Sequence, residues 1–435
     1  MFGREKNSKK LGSRVTVLDL GTSKFTCLIG EWVDPDALTS GQPIGAMLRI
    51  IGFGQQRARG MKAGVLVDLD AAESAVRDVV SQAEKMAGVE VGDVVVAVTC
   101  GRLHSMNFTT TVDLNGGSVR ASHIEEVMLA GRDHAADNGR AVLHLVPLGY
   151  TLDEASGVID PTNLVGDRLE LDLHAVTADV SPLKNIALLL DNCHLRASRM
   201  MASSYVSALA TADVSEMELG TTVIDIGGGT TKLALFANGY FVHSDAIAIG
   251  GDLISFEIAQ ALNCPMQEAE RIKVLYGSVF GRPGELEGRE HNRPISYTIV
   301  GEGSVGEGQI SPQQLADIIR PRAQHILSLV MQRLQKSGFG AHSGQRLILT
   351  GGGSQLTGLA EFASEIFGKP VRVGSPQALE GMPPEMLGPA FASSVGLYEA
   401  LLSYDLADDR TFKVAKTPRD GGYFSNIGNW LKESF

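Results

Sequence analysis

The chain has 435 residues, 44% of them hydrophobic and 20% charged, which supports several domain-sized cores and excludes wholesale disorder. Its formal charge is −12, from 38 basic and 50 acidic residues. That excludes nucleic acid as the main partner, because phosphate backbones are held by clustered Lys and Arg. Four cysteines (Cys27, Cys100, Cys193, Cys264), each more than seventy residues from the next, rule out a zinc ribbon or disulfide framework and fit a reducing cytosol.

The basic stretch Met1–Arg14 precedes an apolar run that Asp19 breaks, so it is not read as a signal peptide. No apolar run approaches the ~20 residues that span a bilayer. Val15–Ile29 then reads as a β-hairpin: a β-branched strand ending in Asp19, a tip of Gly21, Thr22, Ser23 and Lys24, and a second apolar strand. The pattern recurs at Thr221–Phe236, with Asp225, Gly227, Gly228, Gly229, Thr230 and Thr231. In a dinucleotide fold the glycine loop opens a helix; here a strand follows both times. A tip of Gly, Thr and Ser presents backbone N–H groups and hydroxyls to one point, which suits a phosphate. Asp19 and Asp225 would supply carboxylates for a hydrated Mg²⁺, and Lys24 a point charge.

A third cluster, Gly351, Gly352, Gly353 and Ser354, follows the strand Arg346–Thr350 and reads as strand, glycine turn, helix, a helix start facing an adenosine and its α-phosphate. Alone, each turn is ordinarily structural. Two hairpin turns of one kind in separate halves, followed by the third, point to a nucleotide cleft between two related lobes.

Between the hairpins, Val94–Thr99 and Phe108–Leu114 read as strands and Ser122–Asp137 as a helix capped by Ser122 with Glu125. With the segments 141–150 and 160–170 they make a β-α-β-β unit. His144 reads as a satisfied structural histidine. Past the second hairpin, Glu270 and Lys273 lie three apart on one helix face, in Ala269-Glu270-Arg271-Ile272-Lys273 followed by Tyr276-Gly277. Arg320 and Arg322 flank Pro321 on a helix.

After Tyr404 the residues Asp405–Gly422 are polar and aperiodic, a flexible linker. In Tyr423–Phe435 the side chains of Phe424, Ile427, Leu431 and Phe435 share one helical stripe with Trp430 on its flank, an amphipathic segment suited to a lipid surface. Fully burying about five such side chains yields on the order of 8–12 kcal/mol. Ordering the helix costs roughly 1 kcal/mol per residue. One tail therefore binds weakly, and several held together by an assembled protein gain avidity.

The three glycine turns resemble the phosphate 1, phosphate 2 and adenosine motifs of the actin/Hsp70/sugar-kinase superfamily. The inserted unit and the terminal helix resemble those of the FtsA family of bacterial cell-division proteins. That resemblance implies an α/β fold of two actin-like lobes (duplicated ribonuclease-H-like domains) with an inserted subdomain. It divides the chain into a tail at 1–13, a first subdomain at 14–86 and 168–215, and an insert at 87–167. A second subdomain follows at 216–252 and 322–402, a small one at 253–321, a linker at 403–422 and a membrane helix at 423–435.

The resemblance also implies ATP with Mg²⁺ in the cleft and contacts from Glu270 and Lys273 to ribose and base. It implies self-assembly on the cytoplasmic face of the inner membrane at the division site, anchoring of FtsZ filaments near Arg320 and Arg322, and later division partners at the insert. At most slow ATP turnover is expected, with no residue marked to position water. The alternatives are a pilus-assembly relative of FtsA and a sugar kinase using Asp172 or Asp179.

Overall fold

A computed structural model describes residues 12–33, 47–99, 102–136, 139–281, 294–301, 304–339, 344 and 346–408. The chain opens with β1 (Arg14–Leu20), β2 (Lys24–Trp32) and β3 (Leu48–Arg57), an antiparallel meander. A short hairpin of β4 (Met61–Lys62) and β5 (Val65–Leu66) leads to α1 (Leu69–Ala87). Asp68 caps α1 by accepting from Ala71 N at 3.1 Å. Then β6 (Asp93–Val98) runs parallel to β1. Successive residues of β1 and β2 enter different cores: Leu18 and Cys27 pack toward α1, Val17 and Leu28 toward the opposite face. Both faces are covered, which explains runs that are apolar throughout rather than alternating.

The insert consists of β7 (His104–Asp113), α2 (Ala121–Ala135), β8 (Arg140–Leu152), β9 (Ala155–Val158) and β10 (Arg168–Asp179), in the sheet order β7-β10-β8-β9. Two expected boundaries move. Residues 93–98 belong to the first-lobe sheet, not to the insert, because their fully apolar run is a central parallel strand between β1 and a later strand. Residues 168–179 belong to the insert sheet, because β10 pairs along ten residues with β7 and also with β8. The N-cap position of α2 is Arg120, not Ser122; its side chain makes no capping bond, and its backbone N–H donates to His123 Nδ1 at 3.3 Å in place of the expected Glu125. His144 is buried and accepts from Ala202 N at 2.8 Å through Nε2, and burial pushes its pKa down to about 3. It is a neutral structural acceptor, as expected.

After α3 (Val180–Asn192), β11 (Arg196–Ala202) returns beside β6, completing the order β11-β6-β1-β2-β3, and α4 (Ser203–Leu209) and α5 (Val214–Leu219) lead into the second lobe. There β12 (Thr221–Ile226), β13 (Thr231–Ala237) and β14 (Tyr240–Ile247) form a second antiparallel meander. Next come α6 (Asp252–Leu262), α7 (Met266–Tyr276), the hairpin of β15 (Ile295–Gly301) and β16 (Ser304–Ile310), and α8 (Pro312–Lys336). Finally β17 (Arg346–Thr350), α9 (Leu359–Phe367), β18 (Val371–Val373) and α10 (Ala392–Asp408) close the lobe and return to the first. The second sheet has the order β14-β13-β12-β17-β18, with β17 parallel to β12 and β18 parallel to β17. Each lobe is thus a three-strand antiparallel meander continued by two parallel strands, the duplication that the two hairpins announced.

The expected limit between residues 321 and 322 falls inside the continuous helix α8, where two cores meet. Leu315, Ile319 and Ile326 pack toward α6, while Ala323, Leu327, Val330 and Leu334 enter the second-lobe core. Pro321 stands at the changeover, exposed, and removes one helical N–H there. The helix α10 runs to Asp408, so regular structure continues past the expected linker start at 403. The amphipathic segment at 423–435, with Phe424, Ile427, Trp430, Leu431 and Phe435, lies outside the described residues.

Candidate cleft between the lobes

The two hairpins place their tips against each other. The register Leu20↔Phe25 leaves Gly21–Lys24 as the first tip; Ile226↔Thr231 leaves Gly227–Thr230 as the second. A Cβ on Gly229 would stand 2.6 Å from Thr22 Cγ2, and one on Gly228 would stand 2.9 Å from Ser23 Cβ. Only bare backbone lets the lobes approach so closely. Thr22 Oγ1 also accepts from Gly64 N at 3.1 Å, fixing the first tip to the β4–β5 turn.

Beneath the tips lies a cleft of about 420 Å³. It is lined by Asp19, Gly21, Thr22, Ser23 and Lys24 of the first hairpin and by Asp225, Gly227, Gly228 and Thr230 of the second. Glu270 and Lys273 of α7 and Gly351, Gly352 and Gly353 of the third turn also line it. Three expected residues support the cleft from outside its lining. Gly229 is the contact with Thr22; the buried Thr231 donates its hydroxyl to Ile249 O at 2.8 Å; Ser354 donates to Gly351 O at 2.7 Å. The third turn also differs in form. It enters a one-turn 3₁₀ helix (Gly352–Gln355), and α9 begins only at Leu359, so no α-helix N-terminus stands at Gly351.

The electrostatics come from buried charges. Asp19 is half-buried at the cleft, and desolvation raises its pKa against the opposing pull of Lys232 and Lys24. Lys24 Nζ sits 3.1 Å from the centre of the Phe391 ring. Burial lowers its pKa to about 8, more than the nearby carboxylates raise it. Lys232 Nζ is 2.7 Å from Asp225 Oδ2. Two consecutive serines of α10 reach both lobes: Ser393 donates to Asp225 Oδ2 at 3.2 Å and Ser394 to Asp19 Oδ2 at 3.3 Å. On the far wall, Lys273 Nζ pairs with Glu270 Oε2 at 2.7 Å and donates to Gly251 O at 3.2 Å, while Ser255 donates to Glu270.

Sequence reasoning missed Lys232, Ser393, Ser394 and Asp252, which also edges the cleft. Lys232 alone had a local signal, its place opposite Asp225 across the hairpin. The carboxylates that a sugar kinase would need are elsewhere. Asp172 accepts from Thr109 Oγ1 at 2.6 Å and Asp179 pairs with Arg140, both on β10 of the insert and outside the cleft lining. Arg320 is exposed, with its guanidinium 5.1 Å from the Phe362 ring, and Arg322 pairs with Glu257 of α6.

The donor set suits a nucleoside triphosphate: three bare-backbone turns, the buried ammonium of Lys232, the half-buried one of Lys24, and a wall formed by α7. It suits a divalent cation less well. Asp225 is already held by Lys232 and Ser393, and among the described residues no three His, Cys, Asp or Glu side chains converge.

Two duplicated lobes closing on one glycine-lined cleft, with a small sheet inserted in the first, define an actin-like fold. Among solved structures, a chain of the PilM–PilN type IV pilus biogenesis complex superposes with a TM-score of 0.60 at 17% identity, covering 90% of this chain and 99% of that one. MreB5 of Spiroplasma citri bound to ADP gives 0.52 at 15% identity, covering 91% and 99%. The family model "Cell division protein FtsA" matches residues 222–396, and "SHS2 domain inserted in FTSA" matches 100–177, the span of β7 to β10. The cell division protein FtsA of Agrobacterium fabrum is 38% identical over 433 residues, 98% of this chain and 96% of the relative. The chain belongs to the FtsA family of cell division proteins. No helix among the described residues is long and apolar enough to cross a membrane.

Proposed function

We propose that this chain is an ATP-binding, actin-like division protein that assembles on the cytoplasmic face of the inner membrane and anchors FtsZ filaments there. The observation that carries the reading is the convergence of both hairpins and the third glycine turn on one cleft. In it Gly21–Ser23 and Gly227–Thr230 offer backbone and hydroxyls to phosphates, with Lys24 adding charge. Gly351–Gly353 approach the adenosine, and Glu270 and Lys273 meet ribose and base. Ser393 and Ser394 hold one aspartate of each lobe, so closure on the nucleotide and the setting of α10 are coupled.

Lys24 makes the reading testable by pH. Its ammonium titrates near 8 in the folded protein, below the value of an unburied lysine. A phosphate favours the charged form. Affinity for ATP is therefore full below that pH and falls as pH rises through it, by up to about tenfold per unit, because binding must then recruit a proton. Titrating a fluorescent ATP analogue from about pH 7 to 9.5 reads this slope, and Lys24→Arg, charged throughout, should flatten it. A slope that Lys24→Arg leaves unchanged contradicts the role.

The membrane part of the proposal rests on the amphipathic pattern of residues 423–435. Removing 421–435 is expected to abolish sedimentation with vesicles containing anionic lipid while leaving ATP binding intact. Equal sedimentation of full and shortened chains would end it. In this reading FtsZ binds near Arg320 and Arg322, and later division partners bind at the insert. Of the alternatives, the sugar kinase would use Asp172 or Asp179, and both lie on the insert outside the cleft lining. The curated FtsA relatives favour division over pilus assembly.

A further inference from the structure

The two hairpins differ at one position. Opposite Asp19 across the first stands Thr26; opposite Asp225 across the second stands Lys232. Directly paired residues of antiparallel strands project to the same face with Cβ atoms about 5 Å apart, so the hairpin itself delivers the Lys232 ammonium to the Asp225 carboxylate. The contact is 2.7 Å, with side chains 9% and 5% exposed. Both residues line the cleft. Asp225 Oδ2 accepts a second hydrogen bond, from Ser393. A divalent cation seated between the lobes would meet this buried positive charge and a carboxylate oxygen with two partners already. Together Lys24 and Lys232 bring the two positive charges that one Mg²⁺ would bring.

We infer that Lys232 is a built-in counter-ion occupying the place of the divalent cation between the lobes, so that this chain binds ATP with little dependence on Mg²⁺. The inference rests on the nucleotide reading above and deepens it. Since Lys232 is fixed by a strand pair and buried in folding, the charge is in position before ligand arrives.

The test is the dissociation constant of a fluorescent ATP analogue, measured with Mg²⁺ and again with excess EDTA, on the full chain. The wild-type constant is expected to change by less than about threefold. Lys232→Thr, which gives the second hairpin the residue of the first, should lose about tenfold or more in EDTA and recover when Mg²⁺ is restored. Lys232→Arg keeps a charge there and should stay insensitive to EDTA, which provides a readout should the threonine variant fail to fold. A wild-type constant that rises about tenfold on chelation overturns the counter-ion role while leaving ATP binding intact. So does a well-folded Lys232→Thr that remains insensitive. Absence of binding by every protein in both conditions overturns the nucleotide reading itself, and this inference with it.

Discussion

Asp225→Ala should destabilise the second lobe by about 3–5 kcal/mol, the cost of leaving a buried lysine without its carboxylate. The residue sits in the middle of the sheet, on the strand β12 whose six positions are all buried. Its carboxylate is the 2.7 Å partner of Lys232 and the acceptor of Ser393. Both side chains are almost inaccessible, 9% and 5% exposed, although each edges the cleft. The attraction within such a pair does little more than offset its desolvation, but losing one partner exposes the full penalty for the other. The double variant Asp225→Ala/Lys232→Thr should therefore recover much of the loss, and the coupling read from the cycle should be large for residues in direct contact. Chemical denaturation followed by circular dichroism measures it. A single variant as stable as the parent would mean that Lys232 finds another partner, and the cleft electrostatics described above would be wrong. Loss of ATP affinity in Asp225→Ala alone therefore does not identify a metal ligand, because the variant also perturbs the lobe that carries the site.

The parts of the molecule that were legible in the sequence are those whose signal is local. A strand that ends in Asp, a glycine–hydroxyl tip and a second strand specify a hairpin within about 15 residues, and both hairpins formed in that register. The membership of a strand in one sheet or another carries no such mark. Val94–Val98 is as apolar as any strand of the insert, and only its parallel partners β1 and β11 assign it to the first lobe. The same holds for β10, whose ladder with β7 joins residues about 60 apart. Ser394 and Asp19 meet across 375 positions, and nothing near either residue signals the other. Lys232 is the instructive omission. Its pairing with Asp225 follows from counting back from the tip, but it stands at the second position of β13, outside the glycine–hydroxyl motif itself. Ser354 and Thr231 show the other side of motif reading: membership of a motif puts them at the ligand, while in the structure they stand behind the cleft lining with their hydroxyls bonded to backbone.

Gly396→Ala should lower stability and disturb the cleft together. In an isolated helix this exchange is favourable by up to about 1 kcal/mol, because alanine is the better helix former. Here the opposite sign is expected. Gly396 lies on α10 where that helix crosses α4, and a Cβ would stand 1.7 Å from Val206 O and 2.5 Å from the carbonyl carbon. Both atoms are backbone, so no rotamer change relieves the overlap and one helix must slide. Overpacking of this kind costs typically about 1–3 kcal/mol, occasionally more, which outweighs the propensity gain. The slide reaches the site because α10 is tied at both ends of the contact. Tyr398 donates its buried hydroxyl to Leu28 O at 2.9 Å, and one turn before Gly396 the serines 393 and 394 bond to Asp225 and Asp19. Moving α10 lengthens the two serine bonds in both lobes at once, so weaker binding of the ATP analogue should accompany the fall in unfolding midpoint. Gly92→Ala is the control, since a Cβ there meets nothing within 4 Å. It should remain within about 0.5 kcal/mol of the parent with unchanged binding. If Gly396→Ala loses stability but binds the analogue as tightly as the parent, the serines do not couple α10 to the aspartates, and the two lobes are held in register by the hairpin tips alone.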